Sequence, residues 1–136
     1  KDYLNWRYKK HPLNDYTIFE RIQDNVLVGY IVLKVFEDST KNKVINVVEI
    51  KSLRKKFKET ISQLLYKTMD YARRLDLDSI TTWSPINTKK NNILKTIGFY
   101  DSLQNTNFGY RSIDNHEKIL DKNAHWDIDM FMSDVY

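Results

Sequence analysis

The chain has 136 residues, of which 41% are hydrophobic and 29% are charged, as expected of one soluble globular domain. It contains no cysteine, which excludes disulfides, thiolate metal sites and a cysteine nucleophile. Lysine and arginine outnumber aspartate and glutamate by 22 to 18, so the net charge of +4 mildly favours anionic partners.

Three strands are predicted ahead of the first long helix. Residues 16–23 alternate between apolar and polar side chains, and residues 26–36 are rich in β-branched and aromatic ones. Asp24-Asn25 makes a turn between them. A polar stretch over 37–43 then separates the second strand from the third, 44–50. The opening segment up to His11-Pro12 is consistent with a short helix or a loop.

The third strand breaks strict alternation, because Val47 and Val48 are adjacent apolar residues. A β-bulge would reconcile the two halves of the pattern. A strand buried on both faces would give the same sequence. Both interpretations remain open from the sequence alone.

The second half of the chain alternates helices and strands. Residues 57–75 place apolar side chains at helical spacing, and 79–83 form a short strand that a helical crossover would make parallel to the third strand. A shorter helix over 87–97 ends at Gly98. Further strands are predicted over 99–103, 108–113 and 126–132. The pattern predicts a mixed α+β domain spanning residues 1–136.

Several reaction classes find no support. Three glycines cannot supply a dinucleotide-binding or P-loop motif, and three dispersed histidines do not have the spacing of a metal site. We therefore expect no metal. No RNA-binding or helix-turn-helix pattern indicates nucleic acid, and the absence of a long apolar run or signal peptide predicts a cytoplasmic protein without a membrane partner.

Residues 87–99, NTKKNNILKTIGF, carry asparagine, glycine and phenylalanine at the spacing of the signature N-x-x-A-x-x-L-Y-x-x-x-G-F. With the predicted order of elements, this segment resembles the GNAT superfamily of N-acyltransferases. Segments 4–12 and 126–135 also look like parts of the C-terminal half of certain two-part bacterial GNAT-like proteins. The resemblance implies a mostly antiparallel sheet with a splayed parallel strand pair and helices on both faces, lacking the family's N-terminal arm of one strand and two helices.

The resemblance also implies acetyl-coenzyme A as co-substrate. Its pantetheine would lie between the third strand and 79–83, contacting the backbone of Val48 and Ile50. Asn87, at the family's asparagine position, would bond to pantetheine or would cap the second helix.

The pyrophosphate would lie at the start of the long helix, where the family has a [QR]-x-x-G-x-[GA] loop. This chain has no glycine there, and Glu59 adds a negative charge. Cations crowd the same place, at Lys51, Arg54, Lys55, Lys56 and Lys58. They indicate either an anion site, because a helix N-terminus disfavours cations, or a solvated basic turn.

For catalysis, Glu49 is the candidate general base, with a solvent-facing strand glutamate as the alternative. The family's proton-donating tyrosine corresponds to Leu94. Tyr100 and Tyr110 are candidate substitutes, or simply packing residues.

These observations favour an acyl-CoA-dependent N-acyltransferase acting on a small-molecule amine or amino sugar. The alternative is a catalytically silent GNAT-like domain that binds a ligand or partner. A second copy of the chain or a partner half-domain is expected to cover the place of the absent arm.

Overall fold

A computed structural model describes residues 2–9 and 15–102 of the chain. The elements in chain order are α1 (Asp2–Leu4), which continues as a wider π-helical turn (Asn5–Lys9), β1 (Thr17–Gln23), β2 (Val26–Glu37), β3 (Lys43–Ser52), one 3₁₀ turn (Arg54–Lys56), α2 (Phe57–Arg74), β4 (Ser79–Thr82) and α3 (Lys89–Ile97). None of the helices in these two ranges is both long and apolar enough to cross a membrane.

The four strands form one mixed sheet in the order β1-β2-β3-β4. β1 pairs antiparallel with β2, and β2 pairs antiparallel with β3. β3 and β4 are parallel, with Val44 opposite Ser79 and Val47 opposite Thr82. The predicted pairing of the third strand with both neighbours is confirmed.

A β-bulge lies in β3 at Val48. Leu33 of β2 pairs with Val47, and Val32 pairs with Glu49, so Val48 is the extra residue. All seven residues from 44 to 50 are also buried. The two interpretations of this strand are therefore both correct, because a strand in the middle of a sheet covered on both faces can also carry a bulge.

Two apolar cores cover the two faces of the sheet. The larger packs α2 and α3 against it, with Ile45, Ile61 and Leu64 fully or almost fully buried. The smaller packs Leu4 and Tyr8 of the N-terminal segment against Val32 and Val48. Helical segments thus lie on both faces, as the resemblance implies.

Gly29 brings the start of α2 close to the sheet. A Cβ at this position would overlap Thr60 Cγ2 and lie 2.7 Å from the Lys51 carbonyl oxygen. Thr60, in the first turn of α2, is fully buried. Because glycine leaves this room, the N-terminus of α2 rests directly on β2 and β3.

The ends of α3 differ in part from expectation. Gly98 ends the helix in the left-handed conformation (φ 107°), as predicted. The N-cap is Thr88, whose Oγ1 accepts a hydrogen bond from the Asn91 N–H at 3.1 Å. Asn87 precedes the cap with φ 64°, a conformation that asparagine tolerates. The alternative that Asn87 caps this helix is therefore wrong.

The strand predicted over 99–103 is wrong as far as it is described, since residues 99–102 have no strand structure. The stretch stays close to α3, since the Phe99 N–H donates a 3.0 Å hydrogen bond to the Leu94 carbonyl oxygen and Asp101 forms an exposed ion pair of 2.9 Å with Lys95. Leu103 and the strands predicted over 108–113 and 126–132 lie outside the described residues.

Candidate active site

The parallel strands β3 and β4 stop pairing halfway along β3. β4 ends at Thr82, opposite Val47, while β3 continues to Ser52. Val48 and Ile50, both buried, therefore lie beyond the last residue that pairs with β4. The backbone of β3 in this stretch pairs with β2 alone among the described strands.

A cavity of about 550 Å³ opens between the start of α2 and one face of α3. On the first side it is lined by Arg54, Lys55, Lys56, Phe57, Lys58 and Glu59, and on the second by Lys89, Asn92, Ile93 and Thr96. Its volume is in the usual range of small-molecule and cofactor sites. We call it the cationic cavity.

Five cations and a single carboxylate line the cationic cavity. Within residues 2–9 and 15–102, none of these five cations forms an ion pair. Glu59, the carboxylate, is ion-paired with Arg21, whose Nη1 also donates a 2.6 Å hydrogen bond to Thr60 Oγ1. Arg21 therefore offsets the negative charge of Glu59 at this end of α2.

The start of α2 offers additional hydrogen-bond donors. No side chain caps this helix at Lys56, and the preceding residues form a 3₁₀ turn. The first amides of a helix lack intrahelical acceptors and carry the positive end of its dipole. The lysines here add to that positive potential.

Four cavity cations, Arg54, Lys55, Lys56 and Lys58, were predicted from the sequence, whereas Lys89 was missed. The signal for Lys89 was present, because Lys89, Asn92 and Thr96 recur at the spacing of one helical face. Asn87, exposed and outside the cavity lining, is not brought to it.

Glu49 lies on the opposite face of the sheet and is 2% exposed. Tyr8 donates a hydrogen bond of 2.7 Å to its Oε2, and Tyr30 donates one of 2.9 Å to its Oε1. The alternative of a solvent-facing strand glutamate is therefore wrong. The bulge at Val48 contributes to this arrangement, since Val48 and Glu49 both meet the N-terminal segment.

Two phenols bond this carboxylate, and the ring of one of them, Tyr8, packs against two further tyrosines, Tyr3 and Tyr16. The Tyr8 ring makes edge-to-face contacts with Tyr3 and Tyr16, with ring centroids 6.4 Å and 5.0 Å apart, respectively. Burial, followed by the hydrogen bond to Glu49, raises the pKa of the Tyr8 phenol. Burial and then the charge of Glu49 raise the pKa of Tyr3 as well. Both phenols therefore hold their protons beside the carboxylate.

The remaining candidates are spread out. Leu94, at the family's tyrosine position, is 5% exposed and belongs to the larger core. Tyr100 is 89% exposed, and Tyr110 lies outside the described residues. Among the residues that the structure describes, no group of three or more histidine, aspartate or glutamate side chains is placed to hold a metal ion.

Comparison with solved structures identifies the fold. A probable acetyltransferase superimposes with a TM-score of 0.61 and 16% identity, over 73% of this chain and 69% of the other. An aminoglycoside acetyltransferase from an uncultured soil metagenomic sample, in complex with trehalose, gives 0.64 and 12%, over 76% and 70%. An aminoglycoside N-acetyltransferase in complex with coenzyme A gives 0.58 and 17%, over 71% and 77%.

No protein-family model matches the sequence. No curated protein sequence matches it either. The similarity to the solved structures establishes that the chain has the fold of GNAT N-acetyltransferases.

Proposed function

We propose that the protein is an acyl-CoA-dependent N-acyltransferase that moves an acetyl group from acetyl-CoA to a primary amine of a small molecule or amino sugar. The observation that carries this proposal is the cationic cavity. The first wall of the cavity follows β3 directly in the chain, and β3 extends beyond the end of its parallel neighbour β4. Structural neighbours with aminoglycoside acetyltransferase activity, one in complex with coenzyme A, support the same chemistry.

In this proposal side chains replace a glycine loop as the pyrophosphate site. Arg54, Lys55, Lys56 and Lys58 supply charge-assisted hydrogen bonds, together with the first amides of α2. The pantetheine arm runs along the backbone of Val48 and Ile50, which β4 leaves unpaired, and Asn87 bonds to it from the turn before α3.

Acyl transfer requires a base for the amine and a proton for the thiolate. The amine nitrogen attacks the thioester carbon, the C–S bond breaks, and the proton lost by nitrogen passes to Glu49. Tyr8 and Tyr30 fix both carboxylate oxygens through their hydrogen bonds. Tyr100 and Tyr110 are the proposed donors to the departing thiolate.

The test is a calorimetric titration with acetyl-CoA at low and moderate salt. Wild type is expected to bind in the micromolar range, and the Lys55→Glu, Lys56→Glu double variant to lose binding. Each charge-assisted bond is worth about 1.5 to 3 kcal/mol, or roughly ten- to hundredfold in affinity. Raising the salt concentration should weaken wild-type binding steeply.

The matched control is the Lys41→Glu, Lys43→Glu double variant, which makes the same charge change at exposed residues near the other end of β3. It should bind as wild type does, and thermal melting should show that all three proteins fold. Folded wild type that shows no binding at millimolar acetyl-CoA would overturn the proposal.

A second candidate function is a silent domain that binds coenzyme A or a partner without transferring an acyl group. Two observations favour it. Leu94 places a core side chain at the family's tyrosine position, and both oxygens of Glu49 are already engaged by phenols. An assay for free thiol with a panel of aminoglycosides and polyamines separates the two functions, because a silent domain would bind acetyl-CoA and release no thiol above background.

A further inference from the structure

The α3 wall of the cationic cavity extends further than a pyrophosphate at α2 would need. Lys89, Asn92 and Thr96 are three and four residues apart, which places them along one face of the helix. With a rise of 1.5 Å per residue, this face spans on the order of 10 Å. The cavity therefore presents polar side chains from two facing helices.

Both helices that border the cavity begin with cations. The first turn of α3 contains Lys89 and Lys90 and no acidic residue, and α2 has Lys56 at its N-cap and Lys58 beside Glu59 in its first turn. A cation at a helix N-terminus is electrostatically unfavourable. Lys89 has no ion pair among residues 2–9 and 15–102, so no carboxylate of the described chain relieves this cost. An anion bound at each wall would relieve this electrostatic cost at the N-termini of both helices.

We propose that Lys89, assisted by the side-chain amide of Asn92, binds the 3′-phosphate of coenzyme A, while the α2 wall holds the pyrophosphate. This inference rests on the proposed function, since it assigns a second contact to the same co-substrate. A 3′-phosphomonoester carries about 1.5 to 2 negative charges at pH 7. Together with the pyrophosphate, it supplies nearly as much negative charge as the five cavity cations supply positive charge.

The two phosphate groups of coenzyme A are joined through one ribose, so a cavity with cations on two walls can hold both at once. The consequence is selectivity. The protein should distinguish coenzyme A from 3′-dephospho-coenzyme A, and Lys89 should account for the difference.

The experiment measures the affinity of both ligands for three proteins: wild type, Lys89→Gln and Lys95→Gln. Wild type should bind coenzyme A at least tenfold more tightly than the dephospho form. Lys89→Gln should lose about tenfold for coenzyme A and nothing for the dephospho form, so the preference disappears. Lys89→Arg, which keeps the charge, should restore most of it.

Lys95→Gln is the matched control, because Lys95 is an exposed lysine of the same helix that pairs with Asp101 and does not line the cavity. It should keep the wild-type preference. Thermal melts establish that each variant is folded.

Equal affinity of wild type for both ligands would overturn the 3′-phosphate assignment and leave the proposed function intact. Equal loss of both ligands in Lys89→Gln would also overturn it, since Lys89 would then serve the pyrophosphate. If wild type bound neither ligand, this inference and the proposed function would both be wrong.

Discussion

Folding buries the Glu49 carboxylate away from water, and hydrogen bonds from two phenols replace those from the solvent. Such a group is stabilised only when its hydrogen bonds are complete. Tyr8 supplies one of them from a segment 41 residues away in the chain. The short N-terminal segment therefore helps to determine the environment of the candidate base.

Replacing Tyr8 by phenylalanine tests this dependence. The variant keeps the ring and removes the hydrogen bond to Oε2, so it should be less stable by about 1.5 to 3 kcal/mol in urea unfolding at pH 8. Tyr100→Phe, which alters an exposed hydroxyl, should change stability by less than about 0.5 kcal/mol. A Tyr8→Phe protein as stable as wild type would show that the bond contributes nothing.

Because the pKa of Tyr8 is raised in the folded protein, the difference in stability between wild type and Tyr8→Phe should depend on pH. In the unfolded chain a tyrosine titrates near 10, whereas folded Tyr8 keeps its proton to higher pH. The stabilisation is therefore complete below about pH 10 and falls as pH rises above it. The stability gap between wild type and Tyr8→Phe should narrow between pH 8 and pH 11, as measured by urea unfolding. A gap that widened would contradict the assigned direction.

Single residues show where prediction from sequence succeeds and where it stops. The cations of 54–58 and Glu49 could be selected because charge and strand position are local properties. The partners of Glu49 could not be found this way, since Tyr8 and Tyr30 approach it only in the folded sheet. The alternative that Asn87 caps α3 was wrong by one residue, because Asn87 adopts φ 64° and Thr88 is the N-cap.

At the scale of elements, the position of α2 depends on the missing side chain of Gly29. A Gly29→Ala substitution should destabilise the protein by about 1 to 3 kcal/mol, because the new methyl group would overlap Thr60 and crowd the Lys51 carbonyl. It should also weaken acetyl-CoA binding, since α2 and its cations would be displaced. Urea unfolding and calorimetry measure the two effects.

Gly98→Ala is the control for this change. A Cβ at Gly98 meets nothing within 4 Å, and φ is 107°, so its cost is conformational only, roughly 1 to 2 kcal/mol. Acetyl-CoA affinity should remain close to wild type. If Gly29→Ala lost stability without losing affinity, the link between this contact and the cavity would be wrong.

The elements themselves were largely predictable. Residues 57–75 were predicted as a helix and α2 spans Phe57–Arg74, because a helix with one apolar face has a strong periodic signal. The bulge in β3 was harder to predict, because a central strand is apolar on both faces and two adjacent apolar residues are then expected with or without a bulge. The strand predicted over 99–103 is wrong over 99–102, because a short apolar stretch does not distinguish a strand from an irregular segment whose Phe99 packs against the core.

For the molecule as a whole, the edge of the sheet at β1 predicts association. β1 pairs with β2 alone among the described strands, and beside it lies a groove of about 420 Å³ lined in part by Leu4, Ile18, Phe19 and Ile22. We predict that a second chain covers this edge, and that wild type has the mass of a dimer in light scattering.

Ile22→Lys should shift that mass to the monomer, because Ile22 is 61% exposed beside the edge. Ile86→Lys, at a position that is 76% exposed and outside the groove, should leave the dimer unchanged. A monomeric wild type would contradict the prediction.

The order of elements and the sheet pairing followed from the sequence because crossover handedness and strand adjacency are general properties of such folds. The facing of α2 and α3 across a cavity did not follow, since it depends on how two helices 14 residues apart pack on one sheet. The basic residues at the start of α2 could therefore be selected from the sequence, whereas the residues of α3 that face them across the cavity could not.

The shortness of β4 has a dynamic consequence. Only four residue pairs join it to β3, whereas β2 and β3 share a ladder along most of their length. Local opening follows the number of contacts that hold an element, so β4 should detach transiently while the antiparallel strands stay closed. Its backbone amides should then exchange with deuterium earliest in the sheet. A ligand that bridges the two strands would slow this exchange most at β4, which has the fewest pairing partners among the four described strands.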